Sequence, residues 1–199
     1  MNLQNYWDEK YRGRDRLFSG EPNGVLVAEA AGLPPGQALD VGCGEGADAV
    51  WLAAQGWRVT AVDISRTALQ RAAAAATEHA EDIAWQHGDP TASSPPSGAF
   101  DLVTVQYFPL RREPGHAALS GLLDAVAPGG TLLFVGHDLD GLSPERHAEA
   151  GDYYAPHAVA ELLGEEWTVL VDETRPRAGS RPEGSPHTHD TVLRARRER

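Results

Sequence analysis

Leu39-Asp40-Val41-Gly42-Cys43-Gly44-Glu45-Gly46 decides the fold. Its first half closes a short apolar run, Gln37–Gly42 (QALDVG), of the kind that forms a buried parallel strand. The alternate glycines let the chain turn sharply after that strand and let a ligand approach the backbone closely. Asp48–Gln55 (DAVWLAAQ) then carries apolar residues at helical spacing and stops at Gly56, a good helix C-terminal residue. Arg58–Asp63 (RVTAVD) is a β-branched strand that ends on an acid, 23 residues after Asp40. Strand, glycine turn, helix and strand in that order make a βαβ unit.

The same alternation continues outward. Ser65–His79 is an alanine-rich helix with Ser65 as its N-cap. Strands are expected at Ile83–His87, Phe100–Gln106 and Thr131–Gly136. Between the last two lies a helix from about His116 to Val126, closed by the turn Pro128-Gly129-Gly130. After Pro156 a helix reading HAVAELL runs to Gly164, followed by strands Trp167–Asp172 and His189–Ala195. Glu173–Thr188, rich in Pro, Gly and Arg, has no helical period, so these last two strands should form an antiparallel hairpin. The expected architecture is α/β: a doubly wound seven-stranded sheet, six strands parallel and one antiparallel, with helices on both faces. The tail Arg194–Arg199 is expected to be solvated.

Composition narrows the function. A chain of 199 residues with 41% hydrophobic and 23% charged residues is long enough to bury a core without disulfides or structural metal. The single cysteine, Cys43, excludes an internal disulfide and an all-cysteine zinc site. No apolar run approaches a membrane span, and residues 1–30 lack a basic start followed by an apolar core, so a cytoplasmic protein is expected. Lys10 is the one lysine, and the net charge of −12 repels phosphate backbones. A small-molecule partner, with no nucleic acid and no membrane, is the expectation.

An acid at the end of the second strand can accept from both ribose hydroxyls, so Asp63 suits any adenosine-containing cofactor. Charge separates the possibilities. The diphosphate of a dinucleotide seeks the positive end of a helix and its free N–H groups, whereas here Asp40 and Glu45 flank the turn. The spacing is also G-x-G-x-G, not G-x-G-x-x-G. Two carboxylates favour a cationic cofactor, S-adenosylmethionine, over the nicotinamide dinucleotide of a dehydrogenase.

The run LDVGCGEGADAVWLAAQGWRVTAVDIS resembles the first two cofactor motifs of class I methyltransferases. Gly88-Asp89 and FDLVTVQ resemble the third and fourth, and LLDAVAPGGTLLFV the approach to the fifth strand. The opening YWDEKYR and LFSGEPN resemble small-molecule enzymes related to the tellurite-resistance and thiopurine methyltransferases. The resemblance implies that S-adenosylmethionine is bound and released as S-adenosylhomocysteine. It implies Gly42, Cys43, Gly44 and Gly46 under the methionine part, Asp40 near its ammonium, and Asp63 on the ribose. Ile64 would pack on the adenine and Asp89, after Gly88, would accept from its amino group, although Pro90 and the loose TASSPPSG depart from the pattern there. Gln106 and Tyr107 would face the methyl group and the acceptor. One domain is then expected: an arm or lid over 1–24, a cofactor core over 25–136, and an acceptor-side connection with the hairpin over 137–199, as a monomer or homodimer.

Other residues have two readings. Cys43 is a small filler of the turn, with no base nearby in sequence to make it a nucleophile. Trp7 and Tyr11, four apart on one helical face, pack the arm, form a lid, or do both. His137, directly after the fifth strand, is a general base or a loop histidine. Tyr153 and Tyr154 wall the acceptor pocket or lie at the surface. His187-Thr188-His189-Asp190 reads as a hairpin edge in preference to metal ligands. Arg175, Arg177 and Arg181, and in the arm Arg12, Arg14 and Arg16, are solvated or bind an anionic substrate. No residue is an unmistakable base, which favours a soft or ionised acceptor: a thiol, a chalcogen oxyanion or a carboxylate. The alternatives are O-methylation of a small hydroxylated metabolite and cofactor binding without catalysis.

Overall fold

The computed structural model describes residues 2–139, 150–178 and 187–198. One seven-stranded sheet runs through the molecule in the order β3-β2-β1-β4-β5-β7-β6. Its strands are β1 (Gln37–Val41), β2 (Arg58–Asp63), β3 (Ile83–His87), β4 (Phe100–Gln106), β5 (Val126–His137), β6 (Trp167–Pro176) and β7 (His189–Arg197). β1 to β5 pair in parallel, and β7 lies antiparallel between β5 and β6. The helices are α1 (Leu3–Arg12), α2 (Gly24–Ala30), α3 (Ala47–Ala54), α4 (Arg66–Ala75), α5 (Ala117–Ala125) and α6 (Pro156–Ala160). None of the described helices is long and apolar enough to cross a membrane.

The period-2 alternation of the strands divides the core into two layers. Leu39, Val41, Val103, Val105, Leu132 and Phe134 point to one side, where α5 supplies Leu119 and Leu122. Ala38, Leu102, Leu133 and Val135 point to the other, where α2 and α3 supply Val25, Leu26, Ala49 and Leu52. Burial on both faces explains why these strands read as nearly unbroken apolar runs.

Five expectations need correcting. β5 starts at Val126 and not at Thr131, because Val126 pairs with Phe100 across a register shift, so Pro128-Gly129-Gly130 lie within the strand. α4 stops at Ala75 and not at His79, because beyond Ala76 only Thr77, Glu78 and His79 follow, with no apolar face to bury. α6 is five residues long, not a helix running to Gly164; past Ala160 the chain turns and leaves Leu162 exposed. β6 continues four residues past Asp172, since Glu173 to Pro176 find partners in Val192 to His189. β7 extends to Arg197, so most of the supposedly solvated tail is strand. Within it Arg194 bonds the carboxylate of Glu29 at 3.1 Å, while Arg175 of β6 takes the other oxygen at 2.6 Å. This buried acid of α2, a helix the sequence patterning had not suggested, clamps α2 to the hairpin.

Candidate functional site

The carboxyl ends of β1, β2, β4 and β5 open on a cavity of about 330 Å³, within the size range of small-molecule sites. Its walls include Trp7, Tyr11, Asp40, Gly42, Cys43, Gly44, Gly46, Asp63, Ile64, Gln106, Tyr107 and His137. Twelve of the fourteen expected site residues therefore meet in one place. Gly88 and Asp89 stay off this wall: Asp89 turns back on Thr91, accepting from its N–H at 2.9 Å and its hydroxyl at 2.6 Å.

The floor is the glycine turn. Gly42 and Cys43 both donate to the Val62 carbonyl, at 2.8 and 3.0 Å, which ties the turn to β2. Asp63 ties it again, accepting from Gly44 N–H at 2.9 Å and Ser65 N–H at 2.7 Å. A Cβ on Gly42 would run into the Phe108 ring, and φ there is +72°. The Cys43 thiol is pushed up by burial and by Asp40 and Asp63, so it stays protonated, as a turn filler and not as a nucleophile.

Acids dominate this end. Asp40 is 2% exposed, its Oδ2 has no hydrogen-bond partner among the described residues, and burial with Asp48 and Asp63 nearby pushes its carboxyl well up. Asp48 is buried too, accepting from the Asn23 backbone N–H and side-chain amide, each at 2.7 Å. An unpartnered carboxylate in an acidic cavity is a receptor for a cation.

The structure revises the charge argument for Glu45. That side chain is already engaged: it accepts from Leu17 and Phe18 N–H at 3.0 and 3.2 Å and pairs with Arg71 at 2.9 Å. Glu45 staples the N-terminal arm to the turn while still bordering the cavity, and Asp48 joins Asp40 and Asp63 as a further acid of the lining. The signal for Asp48 was present: an acid two residues past Gly46, in the first turn of the following helix.

The arm closes the cavity from above. Asp8 accepts from the Ser65 hydroxyl at 2.6 Å and from Thr67 N–H at 3.0 Å, docking α1 on the start of α4. Burial pushes the Asp8 carboxyl up, but these hydrogen bonds and Arg12 outweigh it and hold it below the ordinary range. Tyr11 is 3% exposed and its hydroxyl lies 3.0 Å from where a Cβ on Gly44 would sit. Trp7 and Tyr11 both line the cavity, and Tyr11 is packed while doing so. Arg12 pairs with Asp8 at 3.7 Å, Arg14 uses its carbonyl to hold Arg71, and Arg16 bonds Ser19. Replacing Glu45 with alanine should leave global stability nearly unchanged but release the arm. Tryptic cleavage at Arg14 or Arg16 should then run about tenfold faster, the loss expected for hydrogen bonds to a charged acceptor.

At the opposite end the side chains stack. Tyr107 has φ +53°, a sparsely populated conformation for a residue with a Cβ. Its ring stacks on His137 at 4.5 Å, and His137 stacks on His187 at 4.0 Å. Arg177 lies over the Tyr107 ring at 4.6 Å, with Nη1 3.4 Å from His137 Nδ1 and 3.7 Å from the Asp190 carboxylate. Burial, then His187 and Arg177, bring His137 down to about 4, so its ring is neutral at neutral pH. Burial and Asp190 push the Tyr107 phenol up. Gln106 donates to Thr104 at 2.9 Å and leaves its buried Oε1 without a partner among the described residues.

Several other readings resolve differently. Tyr154 belongs to the core, hydrogen-bonded to His116, and Tyr153 is an exposed bridge partner of Arg111, so neither walls the cavity. His189 and Asp190 open β7 in its antiparallel pairing with β6, as the hairpin reading has it, although β7 is an interior strand and β6 the sheet edge. Arg175 is a structural ion-pair residue, whereas Arg177 faces the cavity because β6 extends far enough to carry it there. Arg181 lies outside the described residues. Phe18, Asn23 and Phe108 also line the cavity and are not among the expected site residues, and the same holds for Ser19, Gly20, Glu21, Ala47 and Pro109.

Comparison with known proteins gives the family. Residues 38–130 match the family model described as a methyltransferase domain. A probable thiol methyltransferase of Arabidopsis thaliana is 30% identical over 180 residues, covering 86% of this chain and 78% of its own. This chain belongs to the S-adenosylmethionine-dependent methyltransferases. An uncharacterized methyltransferase of Mycobacterium tuberculosis is 42% identical to this methyltransferase chain over 98 residues, 49% of this chain. The match spans about half the length (48%) of that curated relative. A solved structure associated with the conversion of a disulfide bond into a thioacetal group during echinomycin biosynthesis superimposes with a TM-score of 0.77 at 24% identity. It covers 99% of this chain and 93% of its own, and so shares the fold.

Proposed function

We propose that this protein transfers a methyl group from S-adenosylmethionine to a soft or ionised atom of a small molecule. The observation that carries the reading is the unpartnered Asp40 Oδ2 in an acid-lined cavity over the glycine turn. When bound, S-adenosylmethionine supplies a methyl group activated by a positively charged sulfur. The protein's residues provide binding, alignment and a dry pocket, worth several kcal/mol in rate terms. Asp40, with Asp48 behind it, would hold the ammonium, Gly42, Cys43, Gly44 and Gly46 would run under the methionine part, and Asp63 would hold the ribose. Ile64 would pack on the adenine, Gln106 and Tyr107 would face the methyl group, and Trp7 and Tyr11 would cover the site. The off-wall position of Gly88 and Asp89 weakens any adenine role for them.

The neutral His137 supports the choice of acceptor. A ring held at about 4 beside a guanidinium is a poor base at neutral pH, so an acceptor that is already ionised suits the site better than an alcohol. The sulfur chemistry named for the Arabidopsis relative points the same way. A net charge of −12 supports a small acceptor over nucleic acid. O-methylation of a hydroxylated metabolite is the second reading, favoured by the presence of His137 in the cavity wall.

Titration with S-adenosylhomocysteine, then turnover across thiol, carboxylate and hydroxyl acceptors, tests the proposal. Binding without turnover on any acceptor would favour a non-catalytic protein. With a thiol, kcat/KM should follow the acceptor's own ionisation, without a limb near 6.5 from His137. An unperturbed histidine limb, removed by His137→Asn, would favour the base-dependent O-methyltransferase.

A further inference from the structure

Arg177 is the one Lys or Arg side chain among the described residues that line the cavity. Acids occupy the cofactor end, so the cavity is polarised, negative around Asp40, Asp48 and Asp63 and positive at Arg177. The Arg177 side chain is only 10% exposed. A buried guanidinium needs partners, and here the pairing is incomplete. Asp190 stands 3.7 Å away, beyond hydrogen-bond reach, and the contact with His137 Nδ1 is long at 3.4 Å. No protein acceptor among the described residues meets Nε or Nη2. Arg175, two residues earlier, shows the contrast: its two terminal nitrogens bond Glu173 and Glu29 at 3.0 and 2.6 Å. The backbone N–H of Arg177 donates to Thr188 at 2.9 Å, so the guanidinium is presented from an anchored position.

We propose that Arg177 anchors the acceptor through an anionic group, and that the acceptor is a flat aromatic anion, a ring bearing an ionised thiol or a carboxylate. The ring is argued from the walls: the Tyr107 ring lies against the Arg177 guanidinium at 4.6 Å, and Phe108, Pro109, Trp7 and Phe18 line the same cavity. The anion is argued from the unsatisfied fork, which matches a carboxylate or binds a thiolate by charge. This inference rests on the methyl-transfer reading above. In the transfer, a lone pair of the acceptor anion forms the bond to the methyl carbon as the carbon–sulfur bond breaks. The electron pair of that bond goes to sulfur. An anion and a sulfonium become two neutral groups, no proton moves, and no base is required.

The test titrates benzoate and benzenethiolate into protein saturated with S-adenosylhomocysteine, with benzamide as the neutral control of matched shape. Arg177→Gln should weaken both anions about 10- to 100-fold and leave benzamide and S-adenosylhomocysteine unchanged. Arg177→Lys, which keeps the charge without the fork, should fall between. Because Arg177→Gln strips Asp190 of its counter-charge, the double variant Arg177→Gln with Asp190→Asn should reproduce the loss with thermal stability restored. Loss confined to benzoate assigns the carboxylate, and loss confined to benzenethiolate assigns the thiolate. Anion affinities blind to Arg177, or no preference for the anions over benzamide in the wild type, overturn the inference. A matching loss of S-adenosylhomocysteine affinity also overturns it, by moving Arg177 onto the cofactor's carboxylate. Failure of the wild type to bind S-adenosylhomocysteine is a separate readout, and it overturns the methyl-transfer reading together with this one.

Discussion

Asp40→Asn should make the ligand-free protein more stable and its grip on the cofactor weaker. Asp40 is buried at the end of β1, its Oδ2 bonds nothing among the described residues, and Asp48 and Asp63 add negative charge around it. Without a cation this arrangement carries desolvation and like-charge repulsion that a neutral amide of the same shape escapes. Relief of about 1–2 kcal/mol is expected in urea unfolding of the apo protein. The same change removes a charged acceptor for an ammonium group, and S-adenosylhomocysteine affinity should fall about 10- to 100-fold in calorimetric titration. The pH dependence has a definite sign. A carboxyl whose folded value is raised above its unfolded value favours the folded state at low pH, and that contribution is lost as pH rises through the raised value. Wild-type apo protein should therefore lose stability through that window, and Asp40→Asn should lose less of it. Unchanged cofactor affinity in the variant would remove the acid cluster from the site.

Gly46→Ala should cost about 2–5 kcal/mol, against a typical domain stability of about 5–15 kcal/mol. Gly46 starts α3 with φ +83°, a left-handed conformation that costs a residue with a Cβ about 1–2 kcal/mol. The added carbon would also stand 2.6 Å from the Trp85 ring and 2.7 Å from the Ala72 methyl. Neither neighbour yields easily: one is a rigid indole and the other is fixed to the backbone of α4. Overpacking of this kind adds about 1–3 kcal/mol. Gly88→Ala is the internal control, since nothing lies within 4 Å of the place its added methyl would take and its φ is ordinary. Urea midpoints of the two variants should separate widely, and equal midpoints would mean that the turn adapts to a Cβ at no cost.

The parts of this protein legible in its sequence are those governed by neighbours along the chain. Glycine spacing sets a local backbone path, and two-residue alternation in runs such as Thr131–Gly136 divides side chains between two core layers whatever else surrounds them. Helix ends were less legible because burial against distant elements decides them, as at α4 and α6. The α2 helix passed unnoticed because Glu29 looks like an ordinary surface acid until Arg175 and Arg194, far along the chain, reach it.

Charge made the same division at the site. The run from Leu39 to Asp63 determined by itself that strand, turn, helix and strand would build a nucleotide-type cavity bordered by acids. Which of those acids are neutralised was settled only in three dimensions. Glu45 borders the cavity with its charge paired by Arg71 and its oxygens engaged by Leu17 and Phe18, whereas Asp40, with Asp48 beside it, keeps an oxygen unpartnered among the described residues. Arg175 and Arg177, two residues apart on one strand end, likewise part ways, one neutralised by Glu29 and the other left facing the cavity. A backbone turn follows from local sterics, whereas the role of a charge depends on which opposite charge the completed fold brings to it.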